Sequence, residues 1–373
     1  MIAPRWAAVR DSVATLHPGY FALVMATAIV SVGVRNHHLY GLSAALLWLA
    51  GACYALLLVL NGWRLIGYRD QVRTDLASPT RSFGAFTFVA GSDVLGARLA
   101  LDGHTAAAAV LLVIGALAWL VLGFLVPWIA VLRPPRRRPV VAAAAGTWFI
   151  AVVASQSVAL LAATLQPVVG AGGRGLAVLA VVAWSIGIVC YPLVAILVAA
   201  WLLRHEVRPA DLTPPYWVAM GATAISVLAG TRIMRLAGAA DLTALRELAG
   251  GVSLVFWAFG TALIPVLVAA TWWRHVTHRV PLRYEATWWS VVFPLGMYGV
   301  ATHDLGRTSQ LPLIAAIGGY ETWLALGVWA AVFAAMLTHL RRALRPRPPL
   351  RRSGMLAPGR GAGPFGLVED HLA

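Results

Sequence analysis

The chain has 373 residues, 60% of them hydrophobic and 12% charged, with a mean hydropathy of +0.78. Soluble domains carry about 45 to 50% apolar and about 25% charged residues, so a water-soluble enzyme is excluded. The 29 basic residues are all Arg and exceed the 14 acidic ones to give +15, but they lie in short loops and a basic tail, which reads as membrane topology and not as a nucleic-acid footprint.

A bilayer-crossing helix needs about 17 to 25 predominantly apolar residues. Breaks at Arg, Pro and Gly clusters predict ten such helices, near residues 19–35, 41–65, 83–101, 105–132, 140–165, 175–203, 215–237, 243–273, 286–302 and 320–340. Residues 1–18 are expected to form a short cytoplasmic N-terminus, 19–342 an all-α transmembrane domain, and 343–373 a basic, disordered cytoplasmic tail able to touch anionic lipid. The first apolar block has no small-residue cleavage site behind it, so it is expected to be a retained helix. With ten spans, 22 arginines fall on the side of the termini and 7 on the other, which puts both termini in the cytoplasm.

Cys53 and Cys190 both sit inside apolar blocks, so neither a disulfide framework nor a metal cluster is expected. No HExxH, CxxC or nucleophile elbow is present. The pattern therefore calls for no cofactor and no enzyme activity.

The odd-numbered segments share a register. Each carries an aromatic residue near its start, Phe21, Phe86, Phe149, Trp217 and Trp289, spaced by 65, 63, 68 and 72 residues. Six positions later stand Thr27, Ser92, Ser155, Thr223 and Leu295, so four of the five are hydroxyls. A period close to one helical hairpin suggests one unit used five times. Because every copy enters from the same side, five parallel hairpins can close around a central pore, with odd helices inside and even helices outside.

Residues four apart on a helix share a face. Four positions after each aromatic come Met25, Ala90, Val153, Gly221 and Phe293, the candidate pore-lining set. Phe293 is the one large ring among them and precedes Pro294, so it is the candidate gate and Pro294 the gate kink; an ordinary packing aromatic is the competing reading. The hydroxyls six positions on would sit between helices, bonding a preceding carbonyl or permitting close packing. Asp93 and Gln156, at offset seven, are candidate polar or proton-coupling positions, since an ionisable group at that depth is costly. Arg35, Arg98, Arg174, Arg232 and Arg307 each follow one odd helix and form a candidate outer basic vestibule, nearly balanced by outer acids.

The strings PGYFALVMATAIVS from Pro18, FTFVAGSDVLG from Phe86, GTWFIAVVASQSVA from Gly146, PPYWVAMGATAISVLAG from Pro214 and WWSVVFPLGMYGVAT from Trp288 carry a resemblance. Over residues 15–342 the chain resembles the tellurite-resistance/dicarboxylate transporter family, which includes plant slow-type anion channels and malic acid and sulfite transport proteins. The resemblance implies a homotrimer in a lipid bilayer, one pore per subunit, and a ninth-helix phenylalanine that occludes it, matched here by Phe293. It also implies small inorganic or organic anions as substrates, moved through a channel or, alternatively, by a proton-coupled carrier for C4-dicarboxylates, sulfite or tellurite. The short segment before the first helix has no counterpart of the plant channels' phosphorylated region, so kinase activation is not carried over. The cytoplasmic membrane is the expected location.

Overall fold

The computed structural model describes residues 3–132, 140–169, 173–236 and 243–344, and among these the only regular structure is helix. In chain order the first helices are α1 (Ala3–Ala14), α2 (Ala22–Asn36), α3 (Tyr40–Gly67), α4 (Arg69–Ala77), α5 (Phe86–Ala100) and α6 (Thr105–Val126). They are followed by α7 (Val140–Ala143), α8 (Phe149–Leu165), α9 (Gly173–Arg204), α10 (Val218–Met234), α11 (Thr243–Trp272), α12 (Trp289–Thr308) and α13 (Pro312–Leu344).

Eight of the described helices are long and apolar enough to cross a membrane. α5 and α12 fall outside that set. α5 has only 15 residues and carries Asp93 and Arg98, and α12 carries His303, Asp304 and Arg307.

Burial divides the long helices into two kinds. The spans Pro18–Asn36, Gly146–Val168 and Pro214–Met234 are 83 to 89% buried, whereas those containing α3, α6, α9, α11 and α13 are 17 to 33% buried. A helix that is apolar all round yet exposed suits lipid, because lipid tails solvate Leu and Val as well as a protein interior does. The buried helices instead carry small and hydroxyl residues that let backbones approach.

The buried helices touch in a closed order. α2 packs on α5, α5 on α8, α8 on α10, α10 on α12, and α12 returns to α2. Each also packs on the helix that follows it, α3, α6, α9, α11 or α13. All five are entered through a tight single turn: Pro18–Phe21, Ser82–Ala85, Gly146–Trp148, Pro214–Trp217 and Ala286–Trp288. These turns touch one another in the same cyclic order, so the five helices all start from one end of the bundle. The register aromatics Phe21, Phe86, Phe149, Trp217 and Trp289 each mark the join between turn and helix.

Three features differ from the expected elements. The helix expected over 140–165 is interrupted: α7 ends at Ala143, Ala145 is extended, and α8 starts at Phe149. Gly146 explains the break, since a Cβ there would lie 2.7 Å from the Tyr216 backbone nitrogen, and only a glycine lets the two lead-in turns meet. The helix expected over 320–340 starts instead at Pro312, whose missing N–H costs nothing in a first helical turn. α1 and α4 occupy segments read as terminus and loop; both are polar, and a search for apolar blocks passes over them. Arg133, Arg136, Arg137, Arg138, Asp241 and the tail from residue 345 lie outside the described residues.

Candidate functional site

The offset-four set lies wholly inside the bundle. Met25, Ala90, Val153 and Phe293 are each 0% exposed and Gly221 is buried. Phe293 and Met25 are among the largest fully buried side chains. α12 is gripped on both flanks around Phe293. A Cβ on Gly221 of α10 would fall 2.8 Å from Pro294 Cγ, and one on Gly296 would fall 3.0 Å from Ile29 Cγ2 of α2. Gly221 thus presents its bare side to Pro294. Pro294 lies inside α12, where its ring removes one helical hydrogen bond beside the phenylalanine.

The four hydroxyls at offset six all lie between helices, bonded to carbonyls. Thr27 donates to Leu23 O at 2.8 Å and accepts from Trp329 Nε1 of α13 at 3.0 Å. Ser92 is bonded to Phe88 O and to the Tyr54 hydroxyl of α3, both at 2.8 Å. Ser155 donates to Ala183 O of α9 at 2.8 Å, and Thr223 donates to Met220 O while filling the notch left by Gly260 of α11.

Asp93 and Gln156 point the same way, toward the following helix. The Asp93 carboxyl fills the space where Gly115 of α6 lacks a side chain, and Ser157 of α8 donates to its Oδ2 at 3.0 Å. Its Oδ1 has no hydrogen-bond partner among the described residues. The Gln156 amide fills the notch at Gly187 of α9 and donates to Trp184 O at 3.2 Å. Both residues lie three positions, about 60°, beyond the offset-four face, and the rotation turns them into the hairpin interface.

At the far end of the bundle the arginine series separates into paired and unpaired members. Asp102 holds Arg35 at 2.5 Å and Arg98 at 2.8 Å. Arg98 is 1% exposed and also donates to the hydroxyls of Ser31 and Ser43 at 2.8 Å, which ties α5 to α2 and α3. Asp304 takes Arg232 at 3.6 Å and Arg235 at 3.1 Å. Arg174 and Arg307 are exposed, with no ion pair among the described residues.

The lead-in end has a cluster that periodicity does not reveal. Asp75 of α4 is bridged by Arg64 of α3 at 2.5 Å and by Arg81 at 2.7 Å, and Arg64 Nε reaches Ala14 O. His17 stands close by and caps the first lead-in turn, its Nδ1 accepting from Gly19 N–H at 3.0 Å. Burial, helped by the neighbouring Arg81 charge, brings its pKa down to about 4. The one available sequence signal was an acid flanked by arginines in a polar loop, which is common on solvated surfaces. Among the described residues no three His, Cys, Asp or Glu side chains are grouped to hold a metal ion.

Long apolar helices enclosing a buried, mostly uncharged interior define a multi-pass membrane protein. Residues 15–337 match the voltage-dependent anion channel family, and the chain belongs to that family, whose members are channels and transporters and not enzymes. It is 61% identical over 150 residues to an uncharacterized membrane protein of Mycobacterium tuberculosis, found in two strains, a match covering 40% of this chain and 76% of the relative. Over 328 residues it is 24% identical to an uncharacterized transporter of Methanocaldococcus jannaschii, covering 86% of this chain and 92% of the relative.

Proposed function

We propose that the protein is an anion channel or permease of the cytoplasmic membrane. Ten spans form five parallel hairpins around a central apolar path, with α2, α5, α8, α10 and α12 inside and both termini in the cytoplasm. Residues 1–18 and 343–373 flank this transport domain, and three copies assemble with one path each. The cyclic order of helix contacts and of the lead-in turns supports this reading.

Phe293 occludes the path, and its complete burial in α12 beside Pro294 is the observation that carries the proposal. The face made by Met25, Ala90, Val153, Gly221 and Phe293 offers a passing ion no charge and no hydroxyl. Selection then falls to dehydration cost, which favours weakly hydrated monovalent anions, and a closed apolar neck gates by ring rotation or dewetting. Asp102 and Asp304 offset much of the outer basic charge, leaving Arg174 and Arg307 to attract anions.

Bilayer recordings of wild type and Phe293→Ala test this reading. Truncation should raise nitrate and chloride conductance at least tenfold at matched protein amounts, and unchanged current would remove Phe293 from the mechanism. A second reading, a proton-coupled carrier for a C4-dicarboxylate, sulfite or tellurite, draws on the unpartnered Oδ1 of Asp93. Uptake into proteoliposomes that follows an imposed pH gradient, and loses that dependence in Asp93→Asn, would favour it.

A further inference from the structure

A small, solvent-open cleft with an internal volume of about 20 Å³ lies at the lead-in end, where the segment before α10, the end of α11 and the start of α12 meet. Its walls include the Trp217 and Trp288 rings, with Thr213, Thr271, Arg274 and His275 supplying polar groups. Arg274 is the central feature. Its Nη1 donates to three carbonyls, Pro209 at 3.1 Å, Ala210 at 2.9 Å and Leu212 at 3.0 Å, which clamps the loop onto the end of α11. Its Nε is buried with no hydrogen-bond partner among the described residues.

Carbonyl dipoles do not cancel a full positive charge, and no carboxylate among the described residues pairs with this one. The loop's own acid, Asp211, accepts instead from the Arg208 N–H at 3.0 Å. His275 also lines the cleft. Its Nδ1 lies 2.8 Å from Val280 O, and because a carbonyl only accepts, that nitrogen carries the proton and Nε2 of the neutral ring is an acceptor. The His275 ring lies 5.6 Å from the Trp288 ring. Trp217 donates to the Thr271 hydroxyl at 3.1 Å, so the indoles wall the cleft with apolar surface and strengthen any charge interaction within it. The Thr213 hydroxyl makes no hydrogen bond among the described residues.

We infer that this cleft binds one small inorganic anion, held by Arg274 with the Thr213 hydroxyl, and that the bound ion braces the start of α12 against the lead-in turn of α10. At about 20 Å³, little more than one water molecule needs, the cleft takes at most one small anion and has no room for a nucleotide. The inference rests on the proposed anion path only in the choice of nitrate and chloride as probes.

The test is thermal unfolding of the full chain, purified in a phosphate-free maltoside detergent, with nitrate, chloride or inorganic phosphate replacing gluconate at constant ionic strength. A ligand that binds only the folded state raises the midpoint as its concentration passes Kd. Wild type should show a saturable rise with at least one of the three. Thr213→Val should weaken half-saturation about tenfold, the worth of one hydrogen bond to a charged group, and Arg274→Gln should abolish the rise. Phe293→Ala should leave it unchanged. The site is overturned if wild type shows no saturable rise, if the rise survives both Thr213→Val and Arg274→Gln, if Phe293→Ala removes it, or if only an added anionic phospholipid produces it. Thr213→Val lies outside the loop clamp and keeps the test open should Arg274→Gln fail to fold. Because the readout is binding, a protein that passes no current still tests the site.

Discussion

Gly221 and Pro294 meet across the interface of α10 and α12 so closely that an alanine Cβ at position 221 would lie 2.8 Å from Cγ and 3.2 Å from Cα of the proline. A pyrrolidine ring cannot rotate aside, so a methyl group here must move the α12 backbone next to Phe293. We expect Gly221→Ala to lower stability by about 1–3 kcal/mol, the usual cost of overpacking, and to change the open probability of the Phe293→Ala background. Unfolding midpoints in detergent and single-channel recordings read the two effects separately. An unchanged midpoint would mean that the helices separate without cost.

Asp93 and Gly115 should behave as one unit. Gly115→Ala places a methyl group on the carboxyl and should destabilise by about 2 kcal/mol, while in Asp93→Ala the same methyl finds empty space. A double-mutant cycle on unfolding free energies should give a coupling of about 1 kcal/mol or more. Additive effects would refute the notch.

Asp102 should matter far more than an ordinary surface ion pair does. Its removal leaves Arg98, 1% exposed, without its carboxylate, and breaking a buried pair from one side costs about 3–5 kcal/mol. Arg35, 30% exposed at its side chain, should cost about 1 kcal/mol or less when changed to Ala. The expected order in chemical or thermal unfolding is Asp102→Ala well below Arg35→Ala; the reverse order would place the strength of the clasp at the solvent edge.

His17 gives the lead-in end a pH dependence of known sign. Its folded pKa of about 4 lies below the ordinary 6.5, so its contribution to stability is complete above 6.5. As pH falls toward 4 the unfolded chain takes up the proton first and that contribution is lost. His17→Asn keeps a capping acceptor for Gly19 N–H but does not titrate, and should flatten the slope of stability between pH 6.5 and 4. Equal slopes in the two proteins would remove His17 as the cause.

The register of aromatics in the odd segments was legible because a repeated unit repeats its chemistry: Phe21, Phe86, Phe149, Trp217 and Trp289 all fall at the join of turn and helix. The hydroxyls six positions on were also legible as interhelical groups, since Ser and Thr in apolar helices need an acceptor. Asp93 and Gln156 were less so. Their depth could be read from the chain, but their direction depends on a glycine in the next helix, Gly115 or Gly187, and nothing local encodes that partnership.

What the sequence determined alone is the solvent: with 60% hydrophobic residues in long blocks, every backbone polar group must be satisfied by helix, and the chain has to live in a bilayer. Family membership follows from the same strings. Only the tertiary structure decided which charges are free. Asp102 binds Arg35 and Arg98, Asp304 binds Arg232 and Arg235, and Arg274 keeps its charge against carbonyls alone. Charge pairing falls off over a few ångströms of space and is indifferent to separation along the chain, so an arginine count states the supply of charge while the fold states where it acts.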